Sequence, residues 1–569
     1  MSLDITSYDP NQLKQSLIEF YQNRPGFEDF NYEGSAINTI IDNLVRNTHY
    51  IAYMANMVAS ESFLDSAQLR ANIVSHAQKL SYTPRSRTAA SMVVNIEVTP
   101  SAVPSESSIV CDKGSSFINT IDGTSYNFVN VEDITLTIQA GKFIANNINL
   151  KQGLLNSQKF LYAGDKIEIK NPDIDTSTLR VYVRETQAAL TRKEYVKVEN
   201  ITDASNKDFL FYLSENTRGY YDIEFGKGVL GVEPPNGAVI EIEYVVVEEF
   251  HANGLSAIIA ASSIGGYSNI KLTATTPAYG GAERSSLEMI KFMAPRIYQT
   301  QERAVKENDY EVLARRDFPY VKSVIAWGGE RNDPPYYGRV FLSAIPQTGY
   351  VIADSVKDVM SNHMRKYSLM STHVIDPEYI FVDLDVKIMY DKNKTTLTFD
   401  QVKTQVTQTI NTFASDIKEF NGWFNNTALE QKIVNAVTPV YSVESSKSVY
   451  KWISPRVNTT SAYSVKFVNK IVPGSVKIDD VYVSILAAKQ SLTDDGLGKL
   501  VLDVDGVKTV VGSVDYEKGN IDFLYTQLSN PNIADLKVHV TVASENILTS
   551  RNFVVSIEKV VINKVDKND

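Results

Sequence analysis

Apolar residues recur at helical spacing through the first eighty or so residues. From Ser35 to about Ser62, Ile37, Ile41, Leu44, Thr48, Ile51, Ala55 and Val58 stand alternately four and three apart. That alternation is a coiled-coil seam, and it predicts one helix of roughly 40 Å at 1.5 Å per residue. A long helix with such a seam needs a second helical surface, supplied by this chain or by a partner. Ile40 and Met54 widen the apolar face. Upstream, Asp9 and Pro10 mark a helix start in "YDPNQLKQSLIEFY". Downstream, "DSAQLRANIVSHAQKL" predicts a further helix that stops near Pro84.

From Ala89 the period falls to two. In "ASMVVNIEV", Val94, Ile96 and Val98 share a face, and short strands separated by Gly, Asn and Asp follow. Residues 89–250 therefore read as an all-β domain, sandwich or barrel-like. Residues 251–284 are rich in small side chains and read as an extended crossover. Helical spacing returns in "SSLEMIKFMAPRIY", where Ser285 and Glu288 have capping-box spacing, and in "KENDYEVLARRDF". With two strands and the helix "ADSVKDVMSNHMRKY" these predict an α+β domain over 285–375; Val356, Val359, His363 and Tyr367 line one side of that helix. A second α+β domain, 376–463, holds the strand "YIFVDLDVKIMY". Its helix has Val402, Val406, Ile410, Phe413 and Ile417 as inner face, and a short helix follows with Thr427 and Glu430 as capping box. Residues 464–569 are β again. The chain thus reads as multidomain α+β: long N-terminal helices of core-bundle type over 1–88, the β domain, two ferredoxin-like-type α+β domains and a C-terminal β domain.

Bulk properties narrow the function. A chain of 569 residues holds several domains at roughly 100–200 residues each. The formal net charge of −11 and pI near 5.3 lack the basic surplus of a nucleic-acid coat. Cys111 is the single cysteine, so no internal disulfide forms and synthesis in a cytoplasm is expected. "MSLDITSYDPNQ" lacks a basic then apolar leader, and apolar runs such as "AIIAA" are far shorter than the ~20 residues of a membrane span. No membrane association is expected.

The candidate chemistry dissolves on inspection. "GKGVLG" (Gly226, Gly228, Gly231) has the G-x-G-x-x-G spacing of a dinucleotide loop. That loop needs a following helix whose N-terminus meets the pyrophosphate. Here Pro234, Pro235, Asn236 and Gly237 follow, then a strand, so the glycines read as a turn between strands. A bulky residue at Gly228 is expected to harm folding. No histidines stand at zinc-protease spacing, no G-x-S-x-G elbow occurs, and one cysteine makes no thiolate metal site. Asp383 and Asp385 share a strand face, which for a half-buried strand is the solvent face. No catalytic, cofactor-binding or metal residue is assigned. Long helices, many strand edges and several domains favour an assembly component.

The region around the glycines resembles the baseplate J-like family of contractile-tail proteins. Phe225, Gly226, Gly228, Gly231, Pro235, Gly237, Tyr244, Asn253 and Gly254 match its signature of strand, glycine turn, Pro–Gly turn and strand; Lys227 stands where an acidic residue is common. In family order follow Gly280, Gly281, Glu288, Pro295, Arg303, Ala304, Val305, Asp309, Tyr310 and Glu311, and upstream Leu69, Arg70, Ala77, Leu80, Tyr82, Pro84 and Ala89. The resemblance covers roughly 28–460. The C-terminal β extension is most like the large wedge proteins of T4-like contractile-tailed phage baseplates.

The resemblance implies a structural wedge component of a virion tail baseplate, assembled in the host cytoplasm. It implies two differently bent copies joined to another wedge subunit through a helical bundle, with neighbouring wedges forming a ring around a hub. Sheath-initiating and clamp-type baseplate proteins are further implied partners, with no nucleic acid and no cofactor. The seam residues Ile37, Ile41, Leu44, Ile51, Ala55 and Val58 are then the candidate partner-helix interface. Two other readings stay open: a tail-associated envelope-degrading enzyme, and a nucleotide-dependent oxidoreductase.

Overall fold

A computed structural model describes residues 9–22, 24, 35–101, 104, 106–121, 124–198, 205–248, 252–332, 334–347, 349–391, 395–456, 460–483, 488–504, 506–526 and 535–564. The chain is multidomain α+β and divides into two compact units, Met1–Tyr320 and Val321–Asp569.

The first unit opens with α1 (Pro10–Gln22), α2 (Ala36–Glu61) and α3 (Arg70–Lys79). Asp9 sits before α1 and its carboxylate accepts from the Asn11 amide at 2.9 Å. Two sheets follow from residue 91, and the first also takes in the strands Ile259–Ala260 and Ile270–Tyr279 beyond residue 250. In the first, the strand Ser91–Val98 lies antiparallel between Lys142–Gln152 and Ile270–Tyr279. Its alternate residues Met92, Val94, Ile96 and Val98 are buried with Phe117, Phe128, Phe143 and Leu150. The segment 251–284 is therefore not a free crossover: Ile270–Tyr279 is an outer strand of this sheet. Its alternation of Leu272, Ala274 and Thr276 with polar neighbours is weak, so composition masked the strand.

In the second sheet, Val239–Val246 pairs with Leu154–Leu161 on one side and Ile174–Arg184 on the other. Tyr221–Phe225 pairs with Leu210–Glu215 and Ile167–Ile169. The glycine turn thus joins two strands of one sheet that are not neighbours in it. Two helices complete the unit, α4 (Leu287–Thr300) and α5 (Glu307–Asp317), with α3 packed on α4 and α4 on α5. The cap of α4 is Ser286, whose Oγ accepts from the Met289 amide at 3.1 Å. Ser285, the expected cap, instead accepts from the Arg85 amide at 3.2 Å.

In the second unit, a three-stranded sheet (Val321–Gly328, Arg339–Pro346, Ser371–Ile375) carries α6 (Asp354–Met364). The buried side of α6 is Val356, Met360 and Met364, one residue round from the expected line; Val359 is exposed. A ten-stranded sheet runs through 376–564, so the segments expected as separate domains on either side of residue 464 share one core. The joining element is Phe553–Lys564, which returns to pair in parallel with Glu378–Tyr390. On one face Ile380, Val382, Leu384, Val386 and Ile388 meet α7 (Phe399–Ile417) and α8 (Asn426–Ala436). The inner face of α7 is buried as spaced, through Val402, Val406, Ile410, Phe413 and Ile417. Each such side chain contributes about 1.5–3 kcal/mol on burial. Thr398 and Gln401 form its capping box. α8 is capped two residues earlier than expected, by Asn425 on the Ala428 amide at 2.8 Å. Glu430 turns away to accept from the amide and hydroxyl of Ser445.

Candidate interaction surface

α2 is a helix of 26 residues fixed at both ends. Ser35 Oγ accepts from the Asn38 amide at 3.0 Å and starts it. At the other end, the carboxylate of Glu61 caps the next helix. It accepts from the amides of Gln68 (2.8 Å) and Leu69 (3.2 Å) and from Asn72 Nδ2 (2.8 Å). Leu69, in the cap position of α3, has no side chain for that task. Burial pushes the Glu61 carboxyl up, but the bonds from Asn72, Gln68 and Leu69 outweigh it and hold the group below its ordinary range. His76 Nε2 lies 3.0 Å from the Glu61 carbonyl oxygen. The corner between α2 and α3 is therefore pinned by side chains.

The seam divides between the chain's own core and solvent. Ile41 is fully buried, together with Val45, at the end of α2 where α1 packs and Lys14 bridges Asp42 at 2.6 Å. Ile41 is thus a core residue and not an open interface position. Ile37 and Thr48 are half-buried. Leu44, Ile51, Ala55 and Val58 are exposed, Ile51 at 69% and Val58 at 68%. Ile40 extends this stripe.

The widening expected at Met54 is part of a second stripe. Tyr50, Tyr53, Met54 and Met57 are exposed too, Met54 at 66%. At about 100° per residue the two stripes together span roughly 200° of the helix. Asn47 through Ser60 contain no Asp, Glu, Lys or Arg. That charge gap was readable in the sequence and marks the second stripe, because a solvated helix face carries charges. Soluble chains rarely expose contiguous apolar surface on this scale without a partner. At the α2–α3 corner, Met57, Val58, Leu69, Asn72 and His76 line a groove that continues the surface.

The family-motif positions are structural. Phe225 is buried edge-on against Tyr162 and Tyr195. The Gly228 amide is spent on the Gly231 carbonyl at 3.2 Å, so the turn offers no phosphate cradle there. A Cβ on Gly226 would lie 2.1 Å from the Leu230 carbonyl oxygen, so backbone approach requires glycine. Gly228 (φ +73°) has open space around it, which makes it the less demanding position. Gly231 and Gly237 also have positive φ, and Pro235 is exposed in the turn between them. Asn253 accepts from the Gly281 amide and donates to the Gly281 carbonyl (2.9 and 2.7 Å), tying the "NG" and "GG" of the pattern together; Gly280 beside it has φ +88°. Arg303 is exposed between α4 and α5.

Potential chemistry elsewhere is occupied. Asp383 accepts from the Tyr450 hydroxyl (3.1 Å) and from Lys537 (3.3 Å), and Asp385 from Asn563 Nδ2 (2.9 Å). Cys111 is buried, and burial pushes its thiol up. Among the described residues no group of three or more His, Cys, Asp or Glu is placed to hold a metal ion, and no helix is long and apolar enough to cross a membrane.

Comparison with known proteins locates two segments. Residues 9–82 match the family described as baseplate wedge protein gp6-like, helical domain. Residues 306–378 match baseplate structural protein gp6, C-terminal domain I. The chain is 23% identical over 541 residues to the baseplate wedge protein gp6 of Enterobacteria phage T4, covering 86% of this chain and 80% of that protein. A chain in the cryo-EM structure of the anti-feeding prophage (AFP) baseplate, 6-fold symmetrised, aligns at 15% identity and a TM-score of 0.28, over 76% of this chain and 86% of that one. The two family matches and the phage T4 relative support a gp6-like baseplate wedge relationship, the narrower of the resemblances read from the sequence. The first matched segment contains all of α2.

Proposed function

We propose that this chain is a structural wedge component of a contractile phage tail baseplate, and that α2 is its shared helix in a bundle with a second copy and another wedge subunit. The exposed, uncharged face of α2 carries the reading. One apolar stripe satisfies one neighbour; two stripes of different chemistry suit a helix held between two neighbours, as a two-plus-one bundle requires. The pinned corner at Glu61 presents that face rigidly, which lowers the entropy lost on assembly. Membership of the wider baseplate J-like family, the ring of wedges and the sheath-initiating and clamp-type partners belong to the same proposal and rest on the sequence resemblance.

An enzymatic role is the weaker reading. Asp383 and Asp385, the carboxylates singled out for it, are each held by cross-strand hydrogen bonds. Native mass analysis of the chain co-expressed with its particle neighbours tests the proposal. A defined complex with two copies of this chain and one of another subunit supports it. A monomer that ignores every neighbour contradicts it.

A further inference from the structure

Lys451 is a lysine inside the core of the second unit. It stands on the strand Val440–Ile453 and is 6% exposed, with Nζ 4.3 Å from the Phe553 ring centroid and 5.9 Å from that of Phe467. Among the described residues its one hydrogen-bond partner is Glu378, whose Oε2 accepts from Nζ at 2.9 Å. Burial pushes the Lys451 ammonium below the ordinary lysine range, although the Glu378 carboxylate works the other way. A lysine nitrogen that gives up its proton readily is a nucleophile.

The other oxygen of the same carboxylate faces an amide. Asn552 Nδ2 donates to Glu378 Oε1 at 3.5 Å. The backbone ties these two residues together: the Glu378 amide donates to the Asn552 carbonyl at 2.8 Å, and Phe553, the next residue, is the register partner of Glu378. Phe553 is also the ring nearest Lys451 Nζ. One carboxylate therefore holds an amine on one oxygen and a carboxamide on the other. The Glu378 side chain is half-exposed, which leaves a way out to solvent for a small product.

We propose that Lys451 and Asn552 join in an amide bond that the chain forms by itself, with Glu378 as the proton carrier. Lys451 enters as ammonium and Glu378 as carboxylate. Glu378 takes a proton from Nζ, the freed Nζ attacks Cγ of Asn552, and the Nζ–Cγ bond forms. Glu378 returns its proton to Nδ2, the Cγ–Nδ2 bond breaks, and the nitrogen leaves as ammonium with the second proton that Nζ sheds. Nothing is oxidised and no further reactant enters. Held on one carboxylate, the two groups react as an intramolecular pair. The bond staples Val440–Ile453 to the start of Phe553–Lys564 across Glu378–Tyr390, and so fixes the strand that joins the two parts of the ten-stranded sheet. A chain whose single cysteine makes no internal disulfide gains a covalent tie in this way. The assignment does not depend on the wedge reading.

Intact-mass measurement of the purified full chain, with sequencing of its proteolytic fragments, tests this. The expected mass is about 17 Da below that of the sequence, the mass of ammonia, with Lys451 and Asn552 in one branched fragment. Lys451→Arg and Glu378→Gln are each expected to restore the full mass. Full mass in the unaltered chain, with Lys451 and Asn552 in separate fragments, overturns the proposal whether or not the variants fold. A loss of ammonia that persists in Lys451→Arg also overturns it, since that loss belongs to an asparagine cyclising on its own backbone. A branched fragment that still forms in Glu378→Gln overturns the proton-carrying role of Glu378.

Discussion

Arg70 Nε lies 2.8 Å from Glu215 Oε1, and this contact joins a helix to a strand 145 positions later in the chain. The Glu215 side chain is 1% exposed, and Arg284 shares it. Removing one partner of a buried ionic network costs about 3–5 kcal/mol, because the remaining charges stay buried. Glu215→Ala is expected to destabilise the chain by that order in chemical denaturation, with α3 losing amide protection from hydrogen exchange.

The glycine turn makes a ranked prediction. Gly226→Ala forces its Cβ toward the Leu230 carbonyl and is expected to cost about 2–3 kcal/mol. Gly228→Ala meets open space and bears only its positive φ, worth about 1 kcal/mol. Denaturation midpoints of the two variants check the order. Neither variant is expected to alter any nucleotide response.

Glu61 gives a pH signature. Its folded carboxyl is held below the ordinary range, so its contribution is present above the unfolded value and is lost as pH falls through the folded one. With an unfolded glutamate near pH 4.3, that contribution is complete above about pH 5 and fades in acid below about pH 4. The Tm difference between the unaltered chain and Glu61→Ala is expected to be largest near neutrality and to shrink in that acid range. Loss of the cap itself is expected to cost about 1 kcal/mol.

The two stripes of α2 separate folding from assembly. Ile51→Asp and Met54→Asp lie on exposed positions and are expected to change the free chain's stability by less than about 0.5 kcal/mol. Each is expected to abolish a different contact of the bundle, since a charge buried there is costly unless paired. Ile41→Asp places the charge in the chain's own core and is expected to unfold the N-terminal helices. Circular dichroism and co-purification together distinguish the outcomes.

Local pattern made some of this architecture legible and left other parts hidden. The inner face of α7 was readable because all five positions meet one sheet. The seam of α2 was readable as apolar, but spacing does not say which positions the chain covers itself, and Ile41 and Ile51 have the same character. The cap Glu61 supplies to α3 and the pairing of Phe553–Lys564 with Glu378–Tyr390 are contacts between distant positions. No local periodicity encodes them. The pairing of Arg70 and Arg284 on Glu215 is hidden for the same reason: the three residues come together only in the fold.

Oxidative footprinting of Met54 and Met57 tests the central claim most directly. Both thioethers stand exposed on α2 in the isolated chain. The account predicts rapid peroxide oxidation of both in the purified chain, and protection of roughly tenfold or more once the chain is assembled in the baseplate. Equal oxidation of the two methionines in the free and assembled chain would contradict it.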